Sequence, residues 1–252
     1  MFRVIRGEKV GDDTARRMIA GQPVRNTLLL RIPEQEFLAI QPHLEFVSFE
    51  NGTTLQREGS RIDDVYFLNK GIGSIIVEAA NGKSVEVGMA GHEDMIGLQL
   101  AAGLDEFTHS VIAQERGDGF RVRGATMKRI LASLPELSRL LLRRLAIRSI
   151  VFAQNAACNR LHTVKRRLAR WLLLTHDRVD SDLIRTTHDY LSRMVGTDRP
   201  TVTLAVAELE RNGVIQRARA SISIDDRGKL EQESCECYGL FKAFNAESGL
   251  RT

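Results

Sequence analysis

The residues of this chain whose types and spacing could do chemistry fall in three places. Cys158 and His162 lie four apart, which puts a thiol and an imidazole on one helical face, and Cys235 and Cys237 form a close pair near the C-terminus. Such groups serve as redox partners or metal ligands, but a metal site needs three or four donors, and no other His or Cys clusters with either pair in sequence. A small buried cysteine is the more frequent outcome. Neither a metal nor a cofactor is therefore expected, and Cys158, Cys235 and Cys237 stand as candidate redox residues. Glu93-Asp94 is a carboxylate pair on a turn with no base or nucleophile beside it, which does not support general acid–base catalysis. His43, His92, His176 and His188 have no motif around them. With no Gly-rich phosphate loop and no Ser/His/Asp elbow in the sequence, the chain is not expected to be an enzyme.

The third place, Thr187 to Gly213, carries a different chemistry. Thr187 can cap a short helix running through Val195, and Gly196 ends it with the left-handed backbone that a tight inter-helix turn requires. Asp198 caps a second helix, Pro200 suits its first turn, and Val202, Val206 and Leu209 form its apolar stripe before Asn212-Gly213 stops it. Helix, short Gly turn, helix is the spacing of a helix-turn-helix, whose second helix presents its N-terminal side chains to base edges in the major groove. Val214–Arg217 and Ser221–Ile224 then alternate as two strands around Arg219-Ala220, a small wing that brings Arg217 and Arg219 to phosphate.

Charge distribution points the same way. The 252 residues are 43% hydrophobic and 27% charged with five prolines, which excludes a disordered tail, a collagen-like fibre and a disulfide scaffold and suits two domains. Before residue 143 there are 17 Lys+Arg against 19 Asp+Glu; from there on there are 19 against 13. Arg143, Arg144, Arg148, Arg160, Lys165, Arg166, Arg167 and Arg170 form a run without an acid, which suggests a polyanion partner. Met1 to Val10 hold Arg3, Arg6 and Lys9 without an apolar core, and no run approaches the ~20 apolar residues of a membrane span. With the odd cysteine number, a reducing, cytoplasmic location and no membrane partner are expected.

The elements that must position these groups change character along the chain. Residues before Asn26 read as a flexible or helical lead-in. From Asn26 to Arg123, short segments rich in β-branched and aromatic residues (Leu44–Phe49, Asp64–Leu68, Ile72–Glu78, Ser84–Met89, Ser110–Ala113) are bounded by Gly, and Asn51-Gly52 and Asn81-Gly82 read as type I′ hairpin turns. That spacing predicts an all-β barrel or sandwich. Ala125–Leu134 reads as a short helix, and Pro135-Glu136 opens a long one. Leu137, Leu141, Leu145 and Phe152 fall on one stripe of it, and Leu140, Ile147 and Val151 on the next, a face of roughly 160° at about 100° per residue. A face that wide could lie on the helix's own domain and on a second copy. A homodimer through Leu137, Leu141, Leu145, Val151 and Phe152 is expected. The apolar phase resets after Asn159, so a hinge is placed at Asn159–His162.

On these residues the chain, from about Asn26 to Ile224, resembles the CRP/FNR family of bacterial transcription regulators. The run Phe49-Glu-Asn-Gly-Thr-Thr-Leu-Gln-Arg-Glu-Gly59, with Val65-Tyr-Phe-Leu-Asn-Lys-Gly71, is similar to that family's β-roll, and Arg167-Leu-Ala-Arg-Trp-Leu-Leu173 to its post-hinge helix. The resemblance implies an α+β chain with an N-terminal antiparallel, jelly-roll-like β-roll, a long dimerisation helix and a C-terminal winged helix-turn-helix. The segments would be a lead-in over 1–25, a cyclic-nucleotide-binding-like sensor domain over 26–123, the dimerisation helix and hinge over 124–160, and the DNA-binding domain over 161–252. It implies double-stranded DNA with a near-palindromic operator, a second copy of the chain and RNA polymerase as partners, with an effector the sequence does not identify. Arg199 aligns with the family's base-reading arginine, with Pro200, Thr201, Thr203 and Leu204 facing the groove and Thr187, Asp189, Arg217 and Arg219 on phosphates. The effector pocket would fall at Glu93, Ile96, Gly97, His109 and Ser110. There the chain departs from the cyclic-nucleotide-responsive pattern: His109-Ser110 stands for an Arg-Ser pair, and a neutral His cannot replace a forked guanidinium at a phosphate, so the usual cyclic AMP binding is not expected. No cysteine precedes Cys158, against the iron–sulfur branch. The alternative is a small-effector, redox or metal sensor acting through the β-roll or the cysteines.

Overall fold

Residues 17–179 and 181–247 are described by the computed structural model of the chain. A hairpin of β1 (Met18–Ile19) and β2 (Gln22–Pro23) comes first, turning through Ala20 and Gly21, both at positive φ. This corrects the expected helical or flexible lead-in over 17–25; its part over 1–16 lies outside the described residues. Two short helices follow that the strand-rich reading of this region passed over: α1 (Thr27–Arg31), capped by the Asn26 side chain, and α2 (Glu34–Ile40). Both are shorter than a periodic signal needs.

Eight strands then form two four-stranded antiparallel sheets, ordered β3-β10-β5-β8 and β4-β9-β6-β7. They are β3 (Glu45–Phe49), β4 (Thr54–Gln56), β5 (Asp64–Lys70), β6 (Gly73–Glu78), β7 (Ser84–Ala90), β8 (Met95–Ile96), β9 (Ser110–Ala113) and β10 (Gly117–Arg123). Phe49, Leu68, Ile75, Ile96 and Val111 fill the space between the sheets. Two glycines of β10 permit the close strand approach: a Cβ on Gly117 would lie 2.2 Å from the Lys70 carbonyl, and one on Gly119 2.3 Å from that of Phe67. At Asn51-Gly52 and Asn81-Gly82 only the glycines have positive φ, so neither turn is type I′; Asn81 instead accepts from the Lys83 N–H at 3.1 Å.

After α3 (Gly124–Ile130) the long helix α4 runs over Pro135–Leu161. Its N-terminal donors are capped from a distance: Glu36 of α2 accepts from the Glu136 N–H at 2.8 Å and the Leu137 N–H at 2.9 Å. Leu137, Leu140 and Leu141 pack with Phe67, Phe120 and α1–α2 in one core. Leu137 and Leu141 are fully enclosed by their own chain, and Leu145, Val151 and Phe152 are half-buried against it. Of the expected dimer set, Leu137 and Leu141 are thus taken up by the chain's own core, while Leu145, Val151 and Phe152 keep part of their surface open. The face left open carries Leu142, Ala146, Ile150 and Ala153.

The helix continues through Asn159 and Arg160, and the chain becomes extended at His162 and Thr163, at the C-terminal edge of the expected hinge. Beyond it lie α5 (Val164–His176), β11 (Leu183–Arg185), α6 (His188–Met194), α7 (Arg199–Arg211), β12 (Ile215–Ala218), β13 (Ser221–Ile224), α8 (Arg227–Glu233) and α9 (Cys237–Glu247). Leu168, Trp171, Leu191, Val202, Val206 and Leu209 form the center of their core. No helix among the described residues is long and apolar enough to cross a membrane.

Candidate nucleic-acid interface

Local sequence builds α6 and α7 as read. The Thr187 hydroxyl accepts from the Tyr190 N–H at 3.1 Å, and Asp198 accepts from the Thr201 N–H at 2.8 Å. Between the helices Gly196 sits at φ +63°, a conformation that favours glycine. Arg167 of α5 reaches up from beneath and donates to the Val195 carbonyl at 2.8 Å, fixing that turn. The apolar side of α7, Val202, Val206 and Leu209, is buried, so the opposite side must face outward.

That outward side holds the residues expected to face the groove. Arg199 and Pro200 are exposed, and Leu204 is 72% exposed. Thr201 and Thr203 lie beside them, half-buried, with their hydroxyls already engaged: Thr201 donates to the Asp198 carboxylate at 3.0 Å, and Thr203 donates to the Arg199 carbonyl at 2.9 Å. His188 Nδ1 stands 2.9 Å from the same Thr203 oxygen. Burial, then the charges of Arg217 and Arg199, lower its pKa, which favours the neutral ring. Both threonine hydroxyls thus already have partners within the chain, and Arg199 carries the exposed guanidinium at this end.

The wing is a three-stranded sheet, β11-β13-β12, whose two-residue turn Arg219-Ala220 has Ala220 at φ +56°. Arg219 is exposed at its tip. Arg217 is instead held by Glu210 of α7, to which its Nε donates at 2.6 Å, and Asp189 pairs with Arg193 one turn along α6 at 3.5 Å. Both of these residues, expected at phosphate, therefore already have a partner within the chain, and the carboxylate of Asp189 would repel a phosphate.

Half of the basic run turns inward, while Arg143, Arg160 and Arg166 are exposed. Arg144, Arg148, Arg167 and Arg170 are buried, and their partners are internal. Arg170 donates to Asn155 Oδ1 at 2.7 Å, Arg148 to Asp94 Oδ1 at 2.5 Å, and Arg144 lies 3.0 Å from Asp94 Oδ2. Lys165 bridges Glu208 and Glu233 at 2.8 and 2.9 Å.

Of the expected effector set, Glu93, Ile96 and Gly97 are interior. Glu93 is gripped by Arg178 at 2.7 Å and approached by Arg144 at 3.5 Å. Burial alone would raise its pKa, but those two guanidiniums outweigh it and hold the carboxyl near 2. Gly97 is followed by the fully buried Leu98. Just before β9, His109 packs edge-on against Phe152 with ring centres 5.4 Å apart, and at its start Ser110 accepts from the Glu58 N–H at 3.1 Å. His109 and Ser110 thus have partners different from those of Glu93. Sequence reading missed a further buried acid, Glu86 of β7, which accepts from the Trp171 indole at 3.0 Å and is pushed up to about 7 by burial.

The cysteines converge. Cys158 and Cys235, 77 residues apart, have sulfurs 3.6 Å from each other. His162 Nδ1 lies 3.4 Å from Cys158 Sγ and 3.6 Å from Cys237 Sγ. Spacing along the chain could not show that the two pairs meet.

An antiparallel β-roll, a long helix and a winged helix-turn-helix in this order define regulators that join a cyclic-nucleotide-binding-like domain to a DNA-binding one. Residues 46–133 match the cyclic nucleotide-binding domain and residues 166–233 the Crp-like helix-turn-helix domain, together more than half of the chain. The chain belongs to the CRP/FNR family of transcription regulators, whose helix-turn-helix members bind DNA. It is 27% identical over 203 residues to the CRP-like cAMP-activated global transcriptional regulator of Mycobacterium tuberculosis (strain ATCC 25618 / H37Rv), covering 78% of this chain and 91% of that one. The global nitrogen regulator of Synechococcus elongatus is 25% identical over 201 residues, with 75% and 90% covered. The structure of FixK2 from Bradyrhizobium japonicum shares the fold, with a TM-score of 0.65 at 15% identity over 76% of this chain and 98% of that one.

Proposed function

We propose that the chain works as a homodimeric, sequence-specific transcription regulator in the cytoplasm, reading a near-palindromic operator through α7, with a β-roll that does not take cyclic AMP in the usual way. The observation that carries the reading is the capped, outward N-terminus of α7 with Arg199 exposed upon it. Arg199 is proposed to fork onto guanine, with Pro200 and Leu204 meeting the groove by apolar contact and Arg219 on phosphate. The backbone N–H groups at the start of α6, by Thr187 and Asp189, would add a phosphate contact.

Dimerisation is supported by the open face of α4. Leu142 and Ile150 are each 48% exposed, and with Ala146 and Ala153 between and beyond them they form an apolar seam at coiled-coil spacing. A two-fold pairing along it would set two α7 helices for half-sites about one DNA turn apart. Three observations argue against the usual cyclic AMP contact: Glu93 is already neutralised by Arg178 and Arg144, Leu98 is apolar and buried after Gly97, and His109 rests on Phe152. We place the boundary between the sensor and DNA-binding parts at His162–Thr163, where α4 gives way to α5.

Selection of bound sequences from a random duplex pool by the purified full chain, at stated salt and without added nucleotide, tests this. An enriched inverted repeat is expected. Enrichment of an asymmetric site overturns the dimeric operator, and strict dependence on added cyclic AMP overturns the reading of the β-roll.

A further inference from the structure

The four side chains Cys158, His162, Cys235 and Cys237 bring one ligand atom each to a cluster in which all four lie within 4.8 Å of one another. Three are thiols, all buried, and the fourth is an imidazole. On a tetrahedron, metal–sulfur bonds of about 2.3 Å and metal–nitrogen bonds of about 2.0 Å set neighbouring sulfurs about 3.8 Å apart and sulfur from nitrogen about 3.5 Å apart. The Cys158–Cys235 separation is 3.6 Å, and His162 Nδ1 lies 3.4 and 3.6 Å from Cys158 and Cys237. Those three of the six separations match the edges of a mononuclear site, and the other three are within 4.8 Å. A polynuclear iron–sulfur cluster binds its thiolates through different irons and would hold them farther apart.

The surroundings fit the same chemistry. On the far side of the ring, His162 Nε2 lies 3.0 Å from Glu236 Oε1, so Nε2–H can donate to the carboxylate and leave the Nδ1 lone pair facing the thiols. Gln154 Nε2 donates to Cys237 Sγ at 3.1 Å, a contact suited to a thiolate. The donors come from two places. Cys158 is in the last turn of α4 and His162 directly follows it, while Cys235 precedes α9 and Cys237 begins it.

We propose that Cys158, His162, Cys235 and Cys237 are the four ligands of one tetrahedral zinc-class divalent cation, which fastens the end of the long helix to the junction of α8 and α9. Three thiolates and one imidazole are the donors that zinc prefers, and four protein ligands leave no open position, the signature of a structural site. The cation would span the boundary at His162–Thr163 and hold the C-terminal helices against α4. The assignment is independent of the DNA reading.

The test uses the full chain, purified without a polyhistidine tag, with metals measured by elemental mass spectrometry and thiols by titration. About one zinc per chain is expected to survive dialysis. Exchange into cobalt(II) should give the intense visible bands of a tetrahedral ion together with thiolate-to-cobalt charge transfer. Cys237→Ser should weaken that charge transfer and reduce zinc retention, and Glu236→Ala should weaken affinity by roughly ten- to a hundredfold while leaving all four ligands in place. The cobalt spectrum is read on the unmodified protein, so a variant that fails to fold does not decide the matter. A metal-free protein that gives no cobalt spectrum, one with a Cys158–Cys235 disulfide in place of two thiols, or one that carries iron and inorganic sulfide would each overturn the proposal.

Discussion

Arg178, just beyond the end of α5, donates to Glu93 Oε1 from Nη2 at 2.7 Å and from Nε at 3.0 Å, so the C-terminal part of the chain is fastened to the turn between β7 and β8. Both side chains are buried, and the same carboxylate meets Arg144 of α4. Three segments far apart in sequence share one charge.

Removing that charge should be costly. Glu93→Gln leaves two buried guanidiniums undercompensated, and a loss of roughly 3–5 kcal/mol in urea unfolding at neutral pH is expected. Because the folded pKa lies near 2, below the usual 4.5, the stabilisation is present above about pH 4.5 and disappears as pH falls through 2. The variant should lack that part of the acid limb. Superimposable curves for the two proteins would show that the pair contributes nothing.

Glu86 has the opposite sign. Burial outweighs its hydrogen bonds from Ser74 and Trp171 and the nearby Arg170 charge, and raises its pKa to about 7. Its contribution is greatest below pH 4.5 and is lost as pH rises through 7. Glu86→Gln keeps the oxygen that faces Trp171 and cannot ionise. It should match the wild type in acid and exceed it above pH 7 by up to roughly 3 kcal/mol, read by thermal unfolding across pH. A constant offset at every pH would mean that the carboxyl does not titrate in this range.

At the DNA surface the two exposed arginines should separate. Arg199→Ala is expected to cost about 1–3 kcal/mol at one base position and relax specificity there. Arg219→Ala should weaken all sequences alike and reduce the salt slope by about one. Arg217→Ala should do less, because Glu210 already holds that side chain. Competition binding over a panel of point-substituted operators at several salt concentrations distinguishes them. An unchanged base preference for Arg199→Ala would remove it from the recognition surface.

Ile150→Asp places a charge in the open seam of α4 without touching the β-roll core. Sedimentation should show a shift from dimer to monomer, and operator affinity should fall by at least about tenfold as the two half-sites uncouple. Leu141→Ala should instead destabilise each chain by about 2–5 kcal/mol through a core cavity. If Ile150→Asp stayed dimeric, the seam would lie elsewhere.

The sequence by itself determined the features set by interactions a few residues long. The caps at Thr187 and Asp198, the turn at Gly196, the start of α4 at Pro135 and the two wing strands all depend on backbone groups within one helical turn or one hairpin, so residue type and spacing specify them. Only the tertiary structure decided which stripe of α4 the β-roll would cover, and so which stripe stayed open. It also decided that Arg144, Arg148, Arg167 and Arg170 would turn inward rather than face a polyanion, since a guanidinium enters a core only where distant segments supply carboxylates and carbonyls to meet it. The meeting of Cys158 and His162 with Cys235 and Cys237 is of the same kind. Their separation along the chain carries no periodic signal, and the packing of α8 and α9 against the end of α4 brings them within bonding reach of one ion.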